Sequence, residues 1–421
     1  RIEQACGANV NMLRVWGGGI FETDTFYDIC DEWGVMVWQD FLFACAAYPE
    51  EEPMRSQVEA EARHNVARLS RHPSLVLWNG CNENIWGYFD WGWQDNLEGR
   101  TWGSGYYFDL LPNIVAELDP SRPYWPGSPY SGTMDIHPNH NDHGNRHVWD
   151  AWFGGEYEVY REHRPRFASE FGFQGACNHA TLADAIDEAQ LAHDSDALLH
   201  HQRCPPGPEK IDGSLTSHFN FDPAAAPFDD WHYLSQINQA RALTLGVEWF
   251  RSLGPGRCMG SLYWQLNDCW PAMSWSAIDV GGALRPLWYA TRRFYADRLL
   301  TIQPVEGDES KLHLIAVNDH DEPWAAHAAI SRMDFVGIPQ YAAATALNVE
   351  PRGVQRFELP NELVLPGDRG FEMLLARAGQ QQAMWFYGPD CELRYEPADF
   401  RANLEQVADD RWELTLEAET L

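Results

Sequence analysis

Three short apolar runs, each ending on a polar residue and separated by helical patterns, set the topology of the first part of this chain. Asn11–Trp16 and Val35–Asp40 are the first two. The third starts at Leu75 and turns abruptly polar (LVLWNGCNENIW). Uninterrupted apolar runs of this length suit strands buried on both faces. Between them, Thr25–Trp33 places Phe26, Ile29, Cys30 and Trp33 on one helical face, with Gly34 as its cap. Met54–Leu69 likewise turns Val58, Ala62, Val66 and Leu69 inward. Strand, helix, strand in this rhythm predicts parallel pairing. Runs at Pro123–Trp125, Arg146–Trp149, Phe167–Phe171 and Gly260–Gln265 bring the candidate strands to seven. A closed (β/α)8 barrel needs eight. Residues 1–7 read as a helix stopped by Gly7, so the expected fold class is α/β: a (β/α)8 TIM barrel lacking its first strand in this chain. Trp86–Gly105 and Cys204–Pro227 read as long loops, and Trp231–Leu253 as a helix.

From Asp297–Pro304 onward the pattern changes to alternation. Leu312–Asn318, Arg356–Leu359 and Phe371–Ala376 read as strands, with turns at Asn318-Asp319 and Pro366-Gly367-Asp368. The expected domains are a catalytic barrel over 1–300, an all-β immunoglobulin-like sandwich over 301–384, and the start of a further β unit over 385–421 that includes Trp412–Leu416.

Charge narrows the partners. Thirty Lys and Arg against 62 Asp and Glu leave a net charge of −32, and lysine occurs only at Lys210 and Lys311. That balance excludes nucleic acid, which needs a basic footprint, and an anionic membrane surface. Acids spread along the whole chain keep a protein hydrated, as in halophiles. A high-salt cytoplasm is the expectation, and an acidic mesophile protein the alternative. Nine cysteines without a CxxC pair suggest a reducing compartment, with Cys30, Cys45, Cys81 and Cys258 read as small buried hydrophobes. No apolar span is long enough for a membrane helix.

The chemistry is concentrated at strand ends. Asn82 and Glu83 follow the third apolar run, and Ser169-Glu170 closes the run at Phe167. In a βα-barrel such positions form the concave catalytic face. Two carboxyls across one sugar are what glycoside hydrolysis needs, one ionised and one protonated. Asn82 would hold a hydroxyl, Arg14 would pair with Glu170 and keep it charged, and some of the twenty Trp would stack on the ring. The competing reading makes Asn82 a helix N-cap with Glu83 in the first turn. Asp40 either bonds substrate or caps the next helix. Trp270 is a second platform or ordinary packing, and Asp268 a brace. Gly17-Gly18-Gly19 lacks phosphate-loop spacing and reads as a place where the backbone approaches something bound. His137, His140, His143 and His147 do not fit a helical metal motif, and Ser169 lacks a nucleophile elbow.

NMLRVWGGG at Asn11–Gly19, VWQDF at Val37–Phe41, HPSLVLWNGCNE at His72–Glu83, FASEFG at Phe167–Gly172 and GSLYWQLNDCW at Gly260–Trp270 closely resemble retaining β-mannosidases of glycoside hydrolase family 2. The resemblance covers about residues 1–300. It implies Glu83 as acid/base and Glu170 as nucleophile. Trp16 and Trp264 would line the pocket for a terminal sugar, with Arg14, Asn82 and the His147/Trp149 pair nearby. It also implies the β-sandwich, the absence of metal or cofactor, and a β-mannoside oligosaccharide or glycoside as the binding partner. Family members carry further domains before the barrel that this sequence does not contain. An exo-β-glucosaminidase or β-glucosidase-like specificity, and a carbohydrate-binding derivative without turnover, are the rival functions.

Overall fold

The computed structural model describes residues 1–397 and 400–418. The chain divides into two compact units, Arg1–Ile211 with Pro227–Ala296, and Asp212–Ala226 with the chain from Asp297 onward.

The first unit opens with α1 (Ile2–Gly7), β1 (Met12–Val15), α2 (Asp24–Trp33), β2 (Met36–Asp40), α3 (Met54–Leu69) and β3 (Leu75–Asn79). There follow α4 (Asn84–Asp90), α5 (Trp93–Asn96), α6 (Leu111–Leu118), β4 (Tyr124–Trp125), β5 (Arg146–Val148), α7 (Asp150–Phe153) and β6 (Ala168–Phe171). Strands β1 to β4 form one parallel sheet in sequential order, and β5 pairs in parallel with β6. Each connection carries a helix or long excursion, as parallel neighbours require. The buried runs fill the core: Val15, Val37, Leu75 and Trp78 pack with Tyr27, Cys30, Val66 and Leu69 from the helices. All carboxyl ends of the strands consequently lie along one edge, where the polar residues gather.

Several expectations are revised. In α2 the buried residues are Tyr27 and Cys30, while Trp33 is 52% exposed. The helix is rotated toward Tyr27 because its hydroxyl donates to Gln39 and Arg68 lies over its ring. Gly7 is the last residue of α1, and Ala8 caps it with negative φ. The segment Trp86–Gly105 is not a loop throughout: it holds most of α4 and all of α5. Gly87 makes this feasible, because a Cβ there would stand 2.7 Å from Trp91 and 3.0 Å from Trp93. The indoles therefore close directly onto the helix backbone. Cys204–Pro227 contains α10 (Gly207–Phe219), after α8 (His179–Ala183) and α9 (Asp196–His200). Its prolines and first glycine sit at the helix start, where they are tolerated, and Ile211, Ser214, Leu215 and His218 form one buried stripe. The long helix α11 (Phe228–Ser252) and α12 (Pro286–Phe294) complete the unit.

Gly260–Gln265 forms an isolated parallel bridge at Ser261–Ala168 rather than a named strand. Its backbone still alternates bonds with β6: Ala168 N to Gly260 O, Leu262 N to Ala168 O and Trp264 N to Phe171 O, at 2.8–3.0 Å. The glycine triplet approaches the chain itself. A Cβ on Gly17 would lie 2.5 Å from the Phe43 carbonyl, and one on Gly18 would overlap the Trp16 ring.

In the second unit, β7 (Arg298–Val305), β8 (Asp308–Asn318), β9 (Trp324–Asp334), β10 (Pro339–Val349), β11 (Gly353–Glu358), α13 (Asn361–Val364), β12 (Glu372–Ala378) and β13 (Gln381–Phe386) build two antiparallel sheets. Their orders are β10-β9-β12-β13 and β11-β8-β7. Alternate residues of β8, Leu312, Leu314 and Ala316, meet Ala328, Ile330, Leu347 and Leu374 in a common core, the packing expected of two-sheet β architecture. A separate hairpin pairs β14 (Phe400–Ala408) with β15 (Arg411–Ala418). No helix among the described residues is long and apolar enough to cross a membrane.

Candidate active site

The strand ends of the first unit converge on one guanidinium. Arg14, on β1, places Nη2 2.8 Å from Asp40 Oδ2 and 2.7 Å from Asn82 Oδ1, and Nη1 2.8 Å from Glu170 Oε1. Opposed by burial but surrounded by these acids, it stays firmly protonated. Asp40, at the end of β2, is fully buried. Besides Arg14 it accepts from Trp38 Nε1, Asn79 Nδ2 and the Gly17 amide. Both its oxygens are therefore occupied, and it neither caps a helix nor offers an acceptor to a ligand. Asn82, too, is a partner of Arg14 rather than an N-cap.

Glu83 sits at the threshold of α4 with φ 63° and ψ −4°, a left-handed conformation that costs a non-glycine residue energy. Two backbone bonds hold it there: its amide donates to Ser128 O at 2.8 Å, and Gly87 N donates to its carbonyl at 2.7 Å. The turn aims the carboxyl at His147 on β5, whose Nδ1 is 2.8 Å from Glu83 Oε1 and 3.3 Å from Glu170 Oε2. One oxygen of each glutamate and this nitrogen lie within 4.8 Å of one another. Trp149 Nε1 donates to Glu170 Oε2 at 3.3 Å. Asp28, Asp31 and His72 form a similarly tight group elsewhere. In each group one hydrogen bond joins the histidine to a carboxylate, His72 to Asp31 and His147 to Glu83.

Electrostatics separates the two acids. Burial pushes Glu83 up to about 7, against the downward pull of the Cys45 thiol and Arg14. Glu170 is also raised by burial, with His147 and Arg14 pulling it back. Its carboxylate touches a full cation at 2.8 Å, whereas Glu83 has a thiol, an imidazole and the Trp149 indole as its side-chain partners. Burial drives His147 down to about 4, so its ring is neutral at physiological pH.

The aromatic candidates divide. Trp16 and Trp264 meet edge to face at 4.9 Å. With Arg14 and Glu170 they line a cavity of about 280 Å³ that follows the outer edge of β1 to Ser261–Asn267. Trp149 packs against Trp275 and Phe153. Trp270 instead stacks on His201 at 4.7 Å, which covers its face and gives it a packing role. Asp268 braces buried Arg285 at 2.7 Å and accepts from Ser274 and Ser276. Among the other histidines of that loop, His137 bonds Asp90, while His140 and His143 lie ring to ring.

Sequence reasoning missed two contributors. Cys45 is exposed, not a buried hydrophobe, and its Sγ lies 3.3 Å from Glu83 Oε2. Its place just past the end of β2, on the same rim as Glu83, was the available signal. Ser128 bonds His147 Nε2 at 2.8 Å, and nothing in its neighbourhood in the sequence marks it.

No family model matches the chain. It is 37% identical over 319 residues to the β-mannosidase of Capra hircus, an alignment covering 71% of this chain and 36% of that protein. The crystal structure of a β-D-mannosidase from Dictyoglomus thermophilum superposes with a TM-score of 0.91 at 34% identity, covering 100% of this chain and 51% of that one. An exo-chitosanase from Amycolatopsis orientalis shares the fold, with a TM-score of 0.68 at 14% identity, over 100% of this chain and 53% of that one. The chain thus spans about a third to a half of the length of these relatives. On sequence and fold together, the chain is similar to β-mannosidases over the third to half of their length that it spans.

Proposed function

We propose that this chain carries the two catalytic acids of a retaining exo-β-mannosidase, which removes terminal non-reducing β-D-mannose by double displacement. The observation that carries the reading is the closeness of Glu83 and Glu170, whose oxygens lie within 4.8 Å. Retaining enzymes hold their carboxyls about 5–5.5 Å apart, and inverting ones leave room for a water. Glu170, ionised against Arg14, attacks the anomeric carbon. The glycosidic C–O bond breaks as Glu83 delivers its proton to the leaving oxygen. Glu83, now a carboxylate, takes a proton from water, and the resulting hydroxide displaces Glu170 from the sugar. Trp16 and Trp264 supply apolar faces for the ring, and Trp149 orients Glu170. No step calls for a metal or cofactor.

The fold supports the same reading at finer detail. The first unit is proposed to be a (β/α)8 barrel that lacks its first strand within residues 1–421, and the two antiparallel sheets an immunoglobulin-like sandwich. Support comes from the sequential parallel order of β1 to β4, from β1 pairing only with β2 in its sheet, and from the cavity between β1 and Ser261–Asn267.

The test compares turnover of aryl β-mannoside, β-glucosaminide and β-glucoside by the protein that contains this chain, followed by trapping with a 2-fluoro-mannosyl donor. A mannoside preference, with the trapped sugar on the Glu170 peptide, is expected. Preference for glucosaminide reassigns the substrate, and binding without turnover, unaffected by Glu170→Gln, makes the protein a lectin-like derivative.

A further inference from the structure

The side chains behind His147 form a directional chain that reaches no solvent. At its far end Asn145 donates from Nδ2 to the Gly127 carbonyl at 3.3 Å, which turns its Oδ1 toward Ser169. The Ser169 hydroxyl donates to that Oδ1 at 2.8 Å, with the Arg146 carbonyl at 3.3 Å as its other acceptor. Either way the Ser169 proton points away from Ser128. Ser128 donates to Ser169 at 2.9 Å. A hydroxyl has one proton, so Ser128 has only a lone pair left for His147 Nε2, 2.8 Å away. That contact is a hydrogen bond only if Nε2 carries the hydrogen. Ser128, His147 and Ser169 are at most 1% exposed, and Asn145 4%, so no bulk water is at hand to reverse the sequence of donors.

We propose that Ser128, Ser169 and Asn145 act as positioning residues that lock neutral His147 as its Nε2–H tautomer, leaving a bare Nδ1 that accepts the carboxylic proton of Glu83. A neutral imidazole has one N–H. With it spent on Ser128, the 2.8 Å contact between Nδ1 and Glu83 Oε1 needs its proton from Glu83. The opposite tautomer would donate from Nδ1 to both glutamates and favour Glu83 as a carboxylate, a form unable to act as acid. The relay therefore biases one of two like carboxyls toward the protonated state.

The other groups around this point are accounted for. Arg14 from β1 is engaged by Asp40 of β2, by Asn82 and by Glu170 of β6. Cys45 addresses Glu83 Oε2, not Oε1. The Trp149 indole N–H lies between the two acids, donating to Glu170 Oε2 and also favouring the Glu83 carboxylate, a pull that burial of Glu83 outweighs. Trp86 presents only an edge-to-face ring to His147. Asn139 clamps the backbone of His147, accepting from its amide at 2.8 Å and donating to its carbonyl at 2.9 Å. The strand geometry thus fixes where the ring stands, and the hydroxyl relay fixes which nitrogen is protonated.

The inference rests on Glu83 being the acid of the proposed reaction, but its primary readout does not use turnover. The full chain, labelled with ¹⁵N-histidine, is examined by long-range ¹H–¹⁵N correlation at neutral pH, with His147 assigned by its loss in His147→Gln. The expected spectrum has a protonated Nε2 and a bare Nδ1. Ser128→Ala and Ser169→Ala each remove the constraint and are expected to reverse the pattern, while Ser128→Thr retains it. In the protein containing this chain, the alkaline limb of the pH–rate profile should move down by about one unit in the two alanine variants. A protonated Nδ1 in the unmodified chain overturns the relay, as does an unchanged tautomer in both alanine variants. If the alanine variants do not fold, the unmodified spectrum and Ser128→Thr still decide. An Nε2–H histidine in a protein inert toward every glycoside would overturn the glycosidase reading and leave the relay standing.

Discussion

Arg14 Nη1 lies 2.8 Å from Glu170 Oε1 while Nη2 lies 2.8 Å from Asp40 Oδ2, so one fork joins the first, second and sixth strands. All three side chains are almost wholly out of solvent. Breaking a buried pair by removing one partner leaves an uncompensated charge, at a cost of roughly 3–5 kcal/mol. Arg14→Met is expected to lose about that much in urea unfolding. Arg14→Lys should lose a large part of it, since an ammonium cannot fork between two acids. An unchanged unfolding midpoint in Arg14→Met would show that the ion pair contributes nothing.

With Glu83 pushed up to about 7, kcat/KM toward an aryl β-mannoside should fall as pH rises through about 7, where the acid loses its proton. Stability carries the same signature. Between about 4.5 and about 7 the folded chain keeps a Glu83 proton that the unfolded chain has lost, so stability falls with rising pH. His147, pushed down to about 4, works in the other sense: between about 4 and 6.5 only the unfolded chain binds its proton, so stability falls with falling pH. The two slopes oppose one another over most of this window. His147→Gln should remove one of them and make stability decline steadily from about pH 4.5 to 7. A pH–stability curve unchanged by the substitution would contradict this.

Cys45 is solvent-exposed, yet burial of its sulfur and the nearby Glu83 charge hold its thiol far above the ordinary range. It should react slowly with iodoacetamide at pH 7 despite its accessibility, because the thiolate is the nucleophile. Its hydrogen bond pulls Glu83 down, so Cys45→Ala should move the alkaline limb of the pH–rate profile up by roughly half a unit. A downward shift would reverse the assigned direction.

Arg285 is wholly buried and bonds Asp279 and Asp268, each at 2.7 Å. Arg285→Met strands two carboxylates in the interior and is expected to destabilise by roughly 3–5 kcal/mol. Asp268 and Arg285 should couple in a double-mutant cycle. Additive losses would separate them.

The net charge of −32 makes self-repulsion dependent on salt. If the chain is adapted to a high-salt cytoplasm, its helical circular dichroism should weaken on transfer to dilute buffer and return when salt is restored. An unchanged signal would favour an acidic mesophile protein.

Sequence periodicity alone determined the strand–helix rhythm and the inward face of α3, and the change from apolar to polar marked the two carboxyls beside strand ends, because burial imposes a local pattern. The same reasoning failed where glycine- and proline-rich composition masked a helix, and where the cause is not local. Gly87 carries a helix because Trp91 and Trp93 fold back onto it, and α10 starts on prolines that composition alone assigns to a loop. Only the tertiary structure decided that Asp40 is spent on Arg14 and its neighbours, that Trp270 packs on His201, and that Ser128 and Cys45 stand against the acid side. Those facts depend on contacts between residues tens of positions apart, whose directions and proton positions follow from packing.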